Sequence, residues 1–277
     1  MTKTNLPRVV LICHDRDRLD TEGLACWVAG TMNLTGLIVI SEDRNRLWAA
    51  AKREIRRVGW RGFLDVVAYR AFARVRLRAK EEAWKEQELR ALRTRYPRKL
   101  DDVPRLAVAN PNSDAAADFL KTLGPDIVVA RCKFILKPEI FSIAGTGTFA
   151  LHPGICPEYR NAHGCFWALV NRDLDRVGMT LLKIDAGVDT GPVYLQAGCA
   201  IDEIGESHVV IQYRAVTENL DRIAAILIDL FRGENIEPIP TSGRTSAVWG
   251  QPRLTDYLRW KRAARAKSDA TSISAVS

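Results

Sequence analysis

The stretch LHPGICPEYRNAHGCFWALVNRDLDRVGMTLLKIDAGVDTGPVYLQ, Leu151–Gln196, decides how this chain is read. It continues an apolar run, TGTFALH, that reads as a strand arriving at His152. HPG and CPEY then turn the chain sharply, because proline and glycine interrupt regular structure. The glycines of DAGVDTGP suggest a loop whose backbone approaches something closely, with Asp189 presented in it. A histidine and an aspartate delivered this way could form a general-base pair, the carboxylate fixing the imidazole tautomer and raising its basicity. The same spacing also fits a structural histidine and a turn-forming aspartate, so spacing alone leaves catalysis open.

Upstream, RVVLICH is strand-like from its branched apolar run, and EGLACWVAG reads as a helix. TGLIVI and RLAVAN supply a second and a third strand. Ser113 to Leu123 is helical in pattern, capped by Ser113 or Asn112, with Ala116, Phe119, Leu120 and Leu123 at helical spacing. DIVVARC follows as a continuous apolar strand, KPEIFSI as a short helix. Strands apolar on both faces that alternate with helices predict an α/β fold, a mostly parallel sheet with helices on both faces. In such sheets ligands bind at the carboxyl ends of the strands, where His152 stands.

Between the second and third strands lies a segment too long for a simple crossover. A helical insertion is expected over about 44–104. Arg44 to Pro97 reads as two helices broken near Gly59–Gly62, with Arg70, Arg74 and Arg78 on one face. From Arg44 to Lys99 there are 18 Lys/Arg against 6 Asp/Glu, a local balance of +12 in a chain of net charge +8. The basicity therefore belongs to this segment. It is either a solvated face or a contact for an anionic partner or membrane surface through the 44–99 helices. SHVVIQYRAVTENLDRIAAILIDLFRG reads as one amphipathic helix with a glycine stop. A single domain over 1–265 and a disordered tail over 266–277 are expected.

With 47% hydrophobic and 27% charged residues, the composition is that of a soluble globular protein. The run Gly23–Ile40 carries Thr31, Asn33, Thr35 and three glycines, which argues against a membrane span. Cys13, Cys26, Cys132, Cys156, Cys165 and Cys199 form no CxxC pair, and His14, His152, His163 and His208 no HExxH pattern. A cytoplasmic protein without a metal is expected.

The string HPG…PEYR…DTGP at this separation resembles the folate-dependent formyltransferases, which include glycinamide ribonucleotide transformylase, methionyl-tRNA formyltransferase and the sugar N-formyltransferases. The resemblance is strong over Pro125–Gln196 and holds in outline over Arg8–Ile40 and the 207–232 helix. It implies a Rossmann-like formyltransferase fold and N10-formyltetrahydrofolate as donor cosubstrate. Backbone groups around Ile135 and Leu136, and at Ala186, Gly187, Val188 and Asp189, would bind the donor's pteridine. His152 would match the family's catalytic histidine, Asp189 the aspartate that manages proton transfer, and His163 an auxiliary histidine near it.

One position departs from the pattern. The family carries an asparagine two residues before the histidine, and here Ala150 stands there. Loss of one such donor typically lowers turnover by about 10²–10³. Thr148, Asn161 and His163 are the candidates to replace the amide. The resemblance thus implies formyl transfer to a primary amine of a small substrate from an atypical site. The alternatives are a catalytically impaired folate- or partner-binding module and a formyl-folate hydrolase. The loop CHDRDRLDTEG lacks the glycine-rich phosphate cradle of the purine-pathway members, and 44 residues after Gly233 leave no room for the barrel of the tRNA enzymes. These exclusions leave a small amine outside the purine pathway as the acceptor, a nucleotide-linked amino sugar being the favoured class, with nucleic acid not expected as a partner.

Overall fold

A computed structural model describes residues 6–41 and 44–274. Strand β1 (Arg8–His14) leads through a π-helical turn, Leu19–Leu24, into α1 (Ala25–Thr31) and β2 (Asn33–Ile40). The insertion follows as α2 (Arg44–Arg76) and α3 (Arg78–Arg95), then β3 (Arg105–Val108), α4 (Asp114–Leu123) and β4 (Ile127–Arg131). Next come α5 (Pro138–Phe141), β5 (Gly147–His152), β6 (Arg160–Asn161), α6 (Gly164–Val170), β7 (Gly178–Lys183) and β8 (Val193–Gly198). Helices α7 (His208–Thr217) and α8 (Leu220–Phe231), strand β9 (Val248–Trp249) and α9 (Leu254–Ser274) complete the order.

Seven strands form one sheet in the order β3-β2-β1-β4-β5-β7-β8. The five from β3 to β5 are parallel, while β7 pairs antiparallel with β5 and β8 antiparallel with β7. Alternation along β1 shows why both faces are covered: Val9, Leu11 and Cys13 enter one core with Trp27, Phe149 and Phe166, while Val10 and Ile12 enter another with Ile38, Leu120 and Ile140. The sequence order of the strands reverses between β1 and β4, the kind of switch point at whose carboxyl end ligands bind in open α/β sheets. There the Lys133 backbone N–H donates to His14 Nε2 at 3.1 Å.

The expected elements are present, with adjustments. Helix α2 is interrupted at Gly59, where φ is 72°, and a second break falls at Leu77. Arg78 therefore stands at the start of the next helix, α3. The expected single helix over 207–232 is two helices, because Asn219 turns its amide onto the Gly198 and Ala215 carbonyls. Ser113 caps α4 by accepting from the Ala116 N–H, whereas Asn112 is used elsewhere. Helix α9 runs through most of the segment expected to be a disordered tail, and 275–277 lie outside the described residues.

The insertion is tied to the domain by polar contacts. Lys85 pairs with Asp17 at 3.1 Å, Arg18 with Glu86 at 3.0 Å, and Arg93 with Glu22. On the α2 side, Tyr69 Oη meets His208 Nδ1 at 3.2 Å, and Asp65 accepts from the Thr255 N–H at 3.1 Å.

Candidate active site

β5 ends at His152, whose ring is 6% exposed. Its Nε2 donates to the Tyr159 carbonyl at 2.8 Å, and its Nδ1 lies 3.6 Å from Asp189 Oδ2. Asp189 has φ of 51°, a left-handed conformation imposed by the glycine-rich loop, and its Oδ2 accepts the Asn161 N–H at 2.7 Å. The return of the chain beneath His152 requires glycine: a Cβ on Gly154 would stand 2.7 Å from the Tyr159 oxygen and 2.9 Å from His152 Nε2. Burial disfavours charge on the His152 ring. The Asp189 carboxylate, the Cys156 sulfur and the Tyr159 carbonyl outweigh it and lift the pKa to about 10. At neutral pH the ring is an imidazolium beside a carboxylate.

Of the candidates to replace the family's amide, Thr148 and Asn161 are engaged elsewhere, whereas His163 Nδ1 is buried without a hydrogen-bond partner. The Thr148 hydroxyl is buried and donates to the Phe141 carbonyl at 2.9 Å. Asn161 directs its side-chain amide at the Trp249 carbonyl. His163 lies at the start of α6 with φ of 56°, its ring 5.5 Å from that of His208. Burial, with the charges of Lys133 and Arg70, lowers the His163 pKa to about 4, against an opposing contact from Gln251. Ala150 packs into a small apolar cluster with Cys156, Leu182, Val193 and Ile239. Ile239 is held there by its N–H, which donates to the Val193 carbonyl at 2.7 Å.

The two segments expected to bind a donor have distinct supports. Leu136 is buried while Ile135 is 60% exposed, and Asn112 clamps the loop between them and the sheet. The Asn112 amide donates to the Ile135 carbonyl at 3.0 Å, and its oxygen accepts the Lys137 N–H at 2.8 Å. In the facing loop, Asp185 Oδ1 accepts from the Gly187 N–H at 2.9 Å and the Thr190 hydroxyl at 2.7 Å, and Arg160 reaches the Val188 carbonyl at 3.1 Å. Ala186 and Gly187 remain exposed. A hollow of about 220 Å³ is walled by Cys156, Arg160, Asp189, Thr190 and Val193. A larger one, about 520 Å³, lies behind Tyr159 and Trp249 and includes neither His152 nor Asp189 in its wall. The smaller hollow has Asp189, but not His152, in its wall. Among the described residues, no group of three or more His, Cys, Asp or Glu is arranged to hold a metal ion.

The formyl transferase family model matches residues 74–225. The chain belongs to the formyl transferase family. Methionyl-tRNA formyltransferase of Thermodesulfovibrio yellowstonii is 34% identical over 152 residues, 53% of this chain and 47% of that protein. The corresponding protein of Thermotoga sp. (strain RQ2) is 31% identical over 136 residues, 49% and 39% of the two chains. The match thus spans about half, or less, of these curated relatives. A sugar N-formyltransferase from Shewanella sp. FDAARGOS_354 superposes with a TM-score of 0.53 at 14% identity, over 92% of this chain and 87% of that one. Glycinamide ribonucleotide transformylase 1 from Symbiobacterium toebii gives 0.52 at 14% identity, over 89% and 96%. These two likenesses show the formyltransferase fold.

Several contacts around the family's His-Pro and Asp-Thr-Gly-Pro segments were not visible in sequence. The stretch 247–251 straps the 157–167 region: Arg160 N–H donates to the Ala247 carbonyl at 3.1 Å, and Trp167 Nε1 to the Gly250 carbonyl at 2.9 Å. Trp249 stacks on both Tyr159 and Trp167. Arg131, at the end of β4, donates to the Leu151 carbonyl at 3.0 Å and faces buried Asp20 at 3.7 Å. Burial and neighbouring Asp17 push the Asp20 pKa up to about 7 despite that arginine.

Proposed function

We propose that this protein transfers a formyl group from 10-formyltetrahydrofolate to the primary amine of a small acceptor, a nucleotide-linked amino sugar being the class we favour. The observation that carries this reading is the buried His152 ring 3.6 Å from Asp189 at a strand end of a formyl transferase fold. The residues present fit the donor: exposed Ile135 offers an apolar side chain for a planar ring to cover, and Ala186 and Gly187 are exposed in the glycine loop that carries Asp189. When bound, the donor supplies an activated formyl carbon.

The chain's own part is electrostatic and proton-handling. His152 holds a positive charge near the position where a carbonyl oxygen gains negative charge as an amine adds to it. Asp189 takes the proton that the amine sheds, and the leaving nitrogen receives one in return. The Asn161 N–H fixes the carboxylate so that no reorganisation is needed at that moment.

The packing of Ala150 favours a second reading, a folate-binding module with little transfer activity. Ile239 and Leu182 share the apolar cluster of Ala150. Calorimetric titration with a stable 5-formyl folate, followed by donor consumption in the presence of amines, separates the two. Binding with amine-dependent turnover supports the enzyme; binding without turnover supports the module; no binding defeats both.

A further inference from the structure

The second half of α2 carries a feature that the catalytic reading does not use. Trp60, Leu64, Val67, Ala71 and Val75 recur at i, i+4, i+7, i+11 and i+15, within an arc of roughly 80° on a helix that turns about 100° per residue. All five are exposed, Trp60 at 68%, Leu64 at 63% and Val75 at 81%. The opposite face, with Val66 and Tyr69, is buried in the domain. The helix is thus anchored on one side and presents an uncovered apolar stripe on the other. Isolated exposed apolar residues are ordinary, but a continuous stripe along four turns is not.

Charge decides what covers it. Arg61 flanks the stripe on one side, and Arg70 and Arg74 on the other, all exposed. Between Arg44 and Lys80 there are 12 Lys/Arg against 2 Asp/Glu. A protein groove with so many acidic residues around an apolar centre would be a narrow fit. Nucleic acid would have to set phosphates across the apolar stripe itself. A bilayer interface satisfies both features at once: apolar side chains enter the acyl boundary, tryptophan sits at headgroup level, and arginines reach back to anionic headgroups. No helix among the described residues is long and apolar enough to cross a membrane, so the contact would be peripheral.

We propose that the Trp60–Val75 face of α2 docks this protein on an anionic phospholipid surface. Trp48, 73% exposed, lies before the Gly59 break on the preceding segment of α2 and adds a second exposed tryptophan nearby in sequence. The docked helix stands at the margin of the candidate site, because Arg70 donates to Gln251, which contacts His163. The inference does not depend on which reaction the site performs.

The test is flotation of the full chain with vesicles of neutral phosphatidylcholine, and with vesicles containing roughly 30% phosphatidylglycerol. The wild type is expected to float only with the acidic vesicles. Leu64→Ser with Val75→Ser leaves the charge intact, and Arg61→Gln with Arg74→Gln leaves the stripe intact; each pair is expected to weaken binding on the order of tenfold. All four positions are exposed, and matching thermal melts would show that each variant folds. The proposal is overturned if acidic vesicles bind no protein, or if the serine pair binds them as well as wild type. Displacement of the bound protein by a single-stranded RNA would overturn it equally and assign the face to nucleic acid.

Discussion

Asp189 Oδ2 stands 3.6 Å from His152 Nδ1 and at the same time accepts the Asn161 N–H at 2.7 Å. One carboxylate oxygen thus links the end of β5, the β6 turn and the glycine loop. Because the aspartate is held by backbone, its charge stays aimed at the histidine whatever the loop tip does.

The first expectation concerns the charge of that histidine. Its folded pKa, about 10, lies above the usual 6.5, so the stabilisation is fully present below the unfolded value and is lost as pH rises through 10. In Asp189→Asn the leading favourable charge is gone and burial remains, so the His152 pKa should fall by several units. Histidine NMR titration reads this directly. A ring still protonated at pH 8 in the variant would refute the assignment of its charge to Asp189.

Ala150→Asn restores an amide at the strand position next but one to His152. It must also displace apolar neighbours, so the variant is expected to lose stability, by about 1–3 kcal/mol as overpacked sites do. Combined with Ile239→Ala, which opens space, it should raise kcat for formyl transfer on the order of 10². Melting curves and steady-state rates on the single and double variants check both halves.

Stability in acid should be limited by the buried histidines. His163, at about 4, and His208, held well below its usual range by burial and by His163, both bind protons more weakly when folded. From pH 6.5 downward the unfolded chain takes up more protons, so stability falls as pH falls toward 4. For His163 alone the effect is on the order of 3 kcal/mol. Melting temperatures at pH 7 and pH 4.5 should therefore differ less in His163→Asn, a substitution that tolerates the left-handed backbone at this position.

On the proposed function, Asn112 is expected to support donor binding without touching the reacting atoms. Its loss in Asn112→Ala frees the Ile135 carbonyl and the Lys137 N–H at the loop that carries Ile135. KM for the formyl donor should rise about tenfold with kcat nearly unchanged, since only binding that is common to ground and transition states is lost. An equal fall in kcat would place the loop in the chemistry itself.

The sheet was legible because its strands are continuous apolar runs with turns between them, and the alternation along Val9–Cys13 fills two cores as that pattern requires. His152 and Asp189 were legible as a pair because a strand end and a glycine loop frame them. The helix breaks at Leu77 and Asn219 were not, since each depends on tertiary contacts that a periodic pattern does not contain. The engagement of Thr148 with Phe141 and of Asn161 with Trp249 was equally hidden. Strand alternation places Thr148 on the face of Ala150, but only packing shows where its hydroxyl is spent. Tyr69, distant in sequence, reaches the His163–His208 ring pair only because α2 folds back over α7.

The most direct test of the account is the conversion of 10-formyltetrahydrofolate to tetrahydrofolate, followed by absorbance, in the presence of nucleotide-linked amino sugars. Wild type and His152→Ala would be compared. The account predicts amine-dependent conversion with a formylated product in the wild type and a loss of at least about 10² in the variant. Conversion without amine, or equal rates in the two proteins, would contradict it.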